Sequence, residues 1–243
     1  MRATTGHWWD EGWGESALGV LKRVAATARL TLFGEPEAPW MRKKLEVDRQ
    51  FDAQFAVETG GVTSLSALHI TGNNRRFGVN HIASDPDELE SALDSLPPDL
   101  AGLTFVDLGS GKGRAVLLAS RRPFRRIVGV EFAQELHEAA RANLARFPRS
   151  AQRCQRIELV CADAAGYQLP DEDLVIFMYN PFALEVMRTI AARARDSLRA
   201  RPRRMYVLYT NPFHSEAWTA LGFQLLARRG NFALFTGPAM PVR

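Results

Sequence analysis

Thr104-Phe105-Val106-Asp107-Leu108-Gly109-Ser110-Gly111-Lys112-Gly113-Arg114 is the stretch that decides the fold. It begins as a short apolar run that contains an acid, and three glycines follow at alternate positions. Ala115, Leu118 and Ala119 then recur at helical spacing on one face. The pattern predicts strand, tight turn and helix in succession. Glycine allows positive φ and a close approach of backbone to ligand. The helix N-terminus beyond it offers unpaired N–H groups and a positive dipole end to an anionic group. Several nucleotide-binding folds share such a turn, so the weight falls on the strands that follow.

Ile127-Val128-Gly129-Val130-Glu131 is a second β-branched run ending in an acid. It lies about twenty residues after Gly111, where a doubly wound sheet puts the ribose of its ligand. A carboxylate there can accept from both ribose hydroxyls. Phe132 beside it reads either as a ring for an adenine face or as core. Ile157 to Cys161 leads into Ala162-Asp163-Ala164, and Leu174 to Tyr179 leads into Asn180-Pro181-Phe182. Helical patterns over 112–121, 133–146 and 184–199 alternate with these strands. A fifth strand is expected over 205–209, and a hairpin over 222–226 and 231–235 through Arg229-Gly230.

The G-x-G-x-G pattern with Asp107 two residues ahead resembles motif I of the class I S-adenosylmethionine (SAM)-dependent methyltransferases, through Val106 to Gly111. The later strand ends resemble that family's in order. The resemblance implies an α/β, Rossmann-like seven-stranded sheet of order 3-2-1-4-5-7-6 with an N-terminal helical extension. Five parallel strands and a closing hairpin differ from the six-parallel dehydrogenase sheet, which weighs against a nicotinamide cofactor. SAM is the implied cofactor. Asp107 would order the turn or the ligand's amino-acid end, and Gly109, Ser110 and Gly111 would present backbone to it. Glu131 would hold the ribose, Phe132 the adenine face, and Asp163 with the Ala164 amide the adenine edge. Asn180 falls at the family's motif IV, between cofactor and acceptor.

Asn180-Pro181-Phe182 resembles the Asx-Pro-Pro-aromatic turn of amino-directed methyltransferases but lacks the second proline, which weighs against an extruded nucleobase. The cofactor half also resembles histone-lysine methyltransferases of the Dot1 type, through Phe105 to Gly111 and the Asn…Phe element. Nothing resembles a nucleosome-binding extension. A second Tyr-x-Asn-Pro-Phe occurs at Tyr209 to Phe213, followed by His214. The two turns are expected either to form opposite walls of an acceptor pocket or to be proline-ended strands with no shared role. Tyr179, Asn180, Pro181, Phe182, His81 and His214 are the candidates for holding, orienting or deprotonating an acceptor, with Tyr209 a further one. Lys112 and Arg114 read as first-turn surface residues.

Upstream, Trp8, Trp9 and Trp13 lie among polar residues and glycines, and 16–33 has the spacing of an amphipathic helix. A helix is expected over 40–56, burying Met41, Leu45, Val47, Phe51 and Phe55. No period holds over 58–84, and long irregular stretches in compact domains are usually functional. Thr59, Gly60, Gly61, His69, Asn80 and His81 are therefore expected near the site. Ser84 to Glu88 has the cap, early proline and acids of a helix start. The expected division is an extension over 1–100 that caps the site, and a catalytic domain over 101–243.

The 243 residues are 46% hydrophobic, enough for one full core, with a formal charge of +4. Arg121, Arg122, Arg125 and Arg126 precede the second strand, and Arg199, Arg201, Arg203 and Arg204 the fifth. Both clusters belong to the sheet's amino edge, whereas ligands bind at the carboxyl edge, so nucleic acid is disfavoured as a partner. Cys154 and Cys161 read as free thiols, with no disulfide framework or metal site. No signal peptide or membrane span is expected, and the location reads as cytoplasmic. The expected partners are SAM and a methyl acceptor on nitrogen or oxygen of a small molecule or protein side chain. A nucleic-acid methyltransferase and a SAM-binding regulator without turnover are the alternatives.

Overall fold

The computed structural model describes residues 39–64, 68, 81–179 and 182–238. The tryptophan-rich start, the 16–33 helix, His69, Asn80, Asn180 and Pro181 lie outside them. Seven strands form one sheet: β3 (Thr104–Leu108), β4 (Arg126–Glu131), β5 (Ile157–Cys161), β6 (Leu174–Tyr179), β7 (Met205–Thr210), β8 (Gln224–Arg229) and β9 (Phe232–Thr236). Their order is β5-β4-β3-β6-β7-β9-β8, and β9 alone of the inner strands runs antiparallel to its neighbours. Numbered within the sheet this is 3-2-1-4-5-7-6, the expected order. A separate two-stranded ladder pairs β1 (Val62–Thr63) with β2 (His81–Ile82).

The helices are α1 (Pro39–Phe55), α2 (Pro86–Asp94), α3 (Arg114–Ser120), α4 (Gln134–Arg146), α5 (Leu184–Ala200) and α6 (Glu216–Thr219). β3 is buried at every residue, as a central parallel strand covered on both faces must be. One core face joins Val106, Val128, Ile176, Val207 and Tyr209 to α5 and α6, with Trp218 and Phe223 edge-to-face at 4.9 Å. The other joins Phe105, Ile127, Val175, Phe177 and Leu208 to α2, α3 and Phe51 of α1. α5 buries Val186, Met187, Ile190, Ala191, Ala194 and Leu198, the 3.6-residue stripe its sequence predicts. α2 starts on Asp85, whose carboxylate accepts from the Asp87 and Glu88 amides at 3.0 and 3.3 Å.

α1 is a correction to the expected burial. Its inward stripe is Met41, Lys44, Asp48 and Phe51, while Leu45, Val47 and Phe55 are only partly covered. The two charged residues occupy core-facing positions because they pair with each other, and the Asp48 carboxylate also takes Arg114, from another part of the chain.

Candidate functional site

The glycine turn leaves β3 at the carboxyl edge, where the Gly109 and Ser110 amides both donate to the Val130 carbonyl, at 2.9 and 3.0 Å. Gly109, Gly111 and Gly113 all have positive φ. Gly111 has a second reason to be glycine: a Cβ there would lie 2.4 Å from the His81 ring. The Gly111 amide donates to Glu131 Oε2 at 2.8 Å, and the Ala133 amide to Glu131 Oε1 at 2.9 Å. The acid at the end of β4 thus fastens the turn after β3.

Asp107 and Glu131 are both buried at this edge. Burial, and then the neighbouring Glu131 charge, holds the Asp107 carboxyl well above its usual range. Burial also raises Glu131, against the amides of Ala133, Gly111 and Phe132, which favour its charge. Because the fold holds these protons more tightly than the unfolded chain, the associated stability is complete below about pH 4 and is lost as pH rises through the raised values. Asp107→Asn is therefore expected to melt above the wild type by a margin that widens with pH. Melting curves from pH 4 to 8 check this, and a pH-independent margin would refute it.

Asp163 follows β5, and its carboxylate accepts from the Ala165 amide at 2.9 Å, closing the turn that buries Ala164. Phe132 packs with Leu68, Ala133 and Leu136, so residue 68 of the upstream segment reaches the region beyond β4. Tyr179 ends β6 and pairs in register with Thr210, the last residue of β7. The four strand ends therefore share one edge, as expected. Asn180 and Pro181 fall outside the described residues, so the paired-wall expectation does too. Phe182 is partly buried and packs on the α5 side of the core.

Asn211 turns the chain after β7 with φ of 51° and donates its amide to the Asn231 carbonyl at 2.8 Å. Phe213 is exposed. Tyr209 is buried on the α5 face, opposite Tyr179, and accepts from the His214 amide at 3.4 Å. Burial holds its phenol above the usual range. Tyr209 is a core residue here, and the His214 ring is turned toward Glu216 at 3.6 Å.

Arg114 and Lys112 overturn the surface reading. Arg114 is buried, and its guanidinium lies 4.8 Å over the Phe51 ring. It donates to Asp48, to Thr59 Oγ1 at 2.8 Å and to the Ser84 carbonyl at 2.8 Å, and Asp52 lies 3.5 Å away. Lys44 shares the Asp48 carboxylate, and Asp52 also accepts from the Thr59 and Gly60 amides. Lys112 Nζ donates to the Gly60 carbonyl at 2.9 Å. Asn143 of α4 takes the Glu58 amide and gives to the Lys112 carbonyl. Residues 58–61 are thus stitched along the glycine turn, and Thr59, Gly60 and Gly61 lie beside it. One sequence signal could have shown this: Met41, Lys44, Asp48, Phe51 and Phe55 are spaced 3, 4, 3 and 4 apart, so the apolar stripe runs through the two charges.

The arginine clusters are paired along the amino edge. Arg121 and Arg122 meet Glu90, Arg204 meets Asp173 at 2.7 Å and Asp99 at 3.3 Å, and Arg203 donates to carbonyls of 170, 172 and 201. Cys154 and Cys161 are free. Among the described residues no group of side chains could hold a metal ion, and no helix is long and apolar enough to cross a membrane.

Residues 105–201 match the model of a family described as a methyltransferase domain. Over those residues the chain carries a methyltransferase domain, and its sheet has the strand order of the class I, Rossmann-like fold. No curated protein matches it at the sequence level. Among solved structures, the glycopeptide N-methyltransferase MtfA, complexed with SAM, is similar at 15% identity and a TM-score of 0.50, over 65% of this chain and 95% of that one. A TehB-like SAM-dependent methyltransferase from Corynebacterium glutamicum is similar at 17% identity and a TM-score of 0.44, over 61% and 86%. The cyclopropane synthase MmaA2 from Mycobacterium tuberculosis is similar at 15% identity and 0.45, over 59% and 62%. The likeness to MtfA is one of fold alone. SAM is the cofactor of the methyltransferase domain, and the edge has features that suit it. Burial disfavours the ionised form of both carboxyls, a cost that a cationic ligand would offset, and Glu131 accepts from two amides at the end of β4.

Proposed function

We propose that the methyltransferase transfers the SAM methyl group to nitrogen or oxygen of a small molecule or a protein side chain, lysine amines included. The observation that carries this reading is the distribution of charge across the sheet. The conspicuous arginines collect at the amino edge and are held there by carboxylates and carbonyls. The described rim beside Tyr179 offers instead Thr210, Asn211 and His214, with the Thr210 hydroxyl buried and unpartnered. Hydroxyl and amide groups such as those of Thr210 and Asn211 suit a neutral amine or hydroxyl, whereas a polyanion needs cations along its path.

When bound, SAM supplies a methyl group on a positively charged sulfur that departs as a neutral thioether. The protein's part is to align the acceptor lone pair with the methyl carbon and to exclude water. Asp107, the glycine turn, Glu131, Phe132, Asp163 and Ala164 would hold the donor. Tyr179, Asn180, Pro181 and Phe182 would hold the acceptor, whose proton must leave before or during attack.

Incubating the protein with methyl-tritiated SAM and a cell extract, then separating small molecules, protein and nucleic acid, tests the assignment. Label is expected in the small-molecule or protein fraction. Label released by nuclease alone would replace this reading with a nucleic-acid acceptor, and no transfer into any fraction would favour a SAM-binding regulator.

A further inference from the structure

Asn-Pro-Phe occurs twice, at 180–182 and 211–213. Phe182 packs on the α5 side of the core, but Phe213 belongs to neither core cluster. Tyr179 is level with Thr210, so each copy begins one residue beyond the last paired position of its strand. The strand order reverses between β3 and β6, the switch point at which such sheets hold their ligands. β7 is the next strand along, about 5 Å from β6 and about 10 Å from β3. Three large apolar side chains are exposed among the described residues. Leu225 and Leu226 lie on β8 at the far edge of the sheet, whereas Phe213, 38% exposed, stands at the carboxyl edge. Every other described phenylalanine is buried or half-buried. The chain that carries Phe213 is braced on both sides. Asn211 takes a φ of 51°, which residues with a Cβ seldom adopt, and its amide donates to the Asn231 carbonyl at 2.8 Å. The Phe213 amide donates to the Asn211 carbonyl at 2.8 Å around Pro212, and the Ser215 hydroxyl to the Pro212 carbonyl at 2.9 Å. Beyond them the Trp218 amide donates to the Ser215 carbonyl at 3.1 Å, and the Trp218 side chain is fully buried. Exposure alone would need no explanation in a single apolar residue. A ring held at the surface by a braced turn, one strand from the switch point, is preorganised for contact.

From this placement we infer that Phe213 is a specificity-determining residue on the acceptor side. Its ring packs against the apolar body of a small, ring-bearing molecule whose amine or hydroxyl is presented to the methyl donor. The inference rests on the methyl transfer proposed above and narrows its acceptor. Aromatic rings bury a large area with few torsions to freeze and favour offset or edge-to-face contact with another ring. One fixed ring can therefore orient a molecule of about its own size. A protein partner would need an apolar patch of several residues, and among the described residues Phe213 has no exposed large apolar neighbour at this edge.

The wild type, Phe213→Ala, Phe213→Tyr and Leu226→Ala, each incubated with methyl-tritiated SAM and a cell extract, test this. Label is counted in a solvent extract of apolar small molecules, in the water-soluble small molecules, in protein and in nucleic acid, and calorimetry measures S-adenosylhomocysteine binding by each variant. Wild-type label is expected in the solvent extract. Phe213→Ala is expected to label that fraction about tenfold or more slowly, the scale of one aromatic side chain's burial. Phe213→Tyr, which keeps the ring, is expected to retain most of the rate, and Leu226→Ala all of it. All four proteins should bind S-adenosylhomocysteine within about twofold of one another, because a contact confined to the acceptor leaves the donor untouched. An unchanged rate in Phe213→Ala, an equal loss in Phe213→Tyr, or a loss of S-adenosylhomocysteine binding in Phe213→Ala would overturn the inference. Wild-type label confined to protein or to water-soluble small molecules would overturn it too, while the methyl transfer proposed above stood. Label in nucleic acid alone, or no transfer at all, would remove that reading and the inference together.

Discussion

Asp48→Ala is expected to lower the folding free energy by about 3–5 kcal/mol, the scale for removing one partner of a buried ion pair. Asp48 serves Lys44 and Arg114 at once and also takes the Gly61 amide at 3.3 Å. The two cations would respond differently to its loss. Burial already lowers the Lys44 pKa, so the amine can shed its proton. A guanidinium cannot, and Arg114 would keep an incompletely matched charge beside Phe51. The contrast is Arg201, whose pair with Asp171 is exposed on both sides, so Arg201→Ala should change stability by less than about 1 kcal/mol. Urea denaturation of the two variants decides the point. If both fell within 1 kcal/mol of the wild type, the cluster around Arg114 would not be what fixes the upstream segment to the sheet.

Glu131→Ala is expected to weaken SAM binding by about a hundredfold or more. Two charge-assisted contacts to ribose hydroxyls, at roughly 1.5–3 kcal/mol each, would set that scale. The variant also strands the amides of Gly111 and Ala133, which now share the carboxylate, at about 1–3 kcal/mol of stability each. The two effects separate in Glu131→Gln, whose carbonyl oxygen can keep one amide while its NH2 faces the other. Calorimetry with SAM and melting of the apo protein measure them side by side. Unchanged SAM affinity in Glu131→Ala would dismiss Glu131 as a donor contact and leave it only the turn-fastening role visible in the fold.

The sheet was legible because its signals are local. β3, β4 and β6 are near-continuous apolar runs, their ends are marked by Asp107, Glu131 and Tyr179, and each intervening helix shows its stripe. The candidate site was legible only where a strand end places a residue without outside help. Arg114 was misread because a charge at the first turn of a helix is normally solvated, and its acceptors lie 30 to 66 residues away in the sequence. His81 was expected near the site, but nothing in the sequence pairs residue 81 with 63 or sets it on Gly111. Tyr209 and Tyr179 look alike in their two matching pentapeptides, yet in-register pairing of Tyr179 with Thr210 sends Tyr209 to the opposite face of the sheet.

Arg114 draws on Asp48, Asp52, Thr59 and Ser84, and each of these precedes it in the chain. During synthesis they leave the ribosome before the cation they receive, so the turn can be secured as soon as the first strand–helix unit exists, ahead of the later strands. A recombinant fragment starting at Leu103 would keep all seven strands of the large sheet. It would nonetheless give Arg114 none of those four neighbours, and recovery of refolded material should suffer before any assay of turnover is reached.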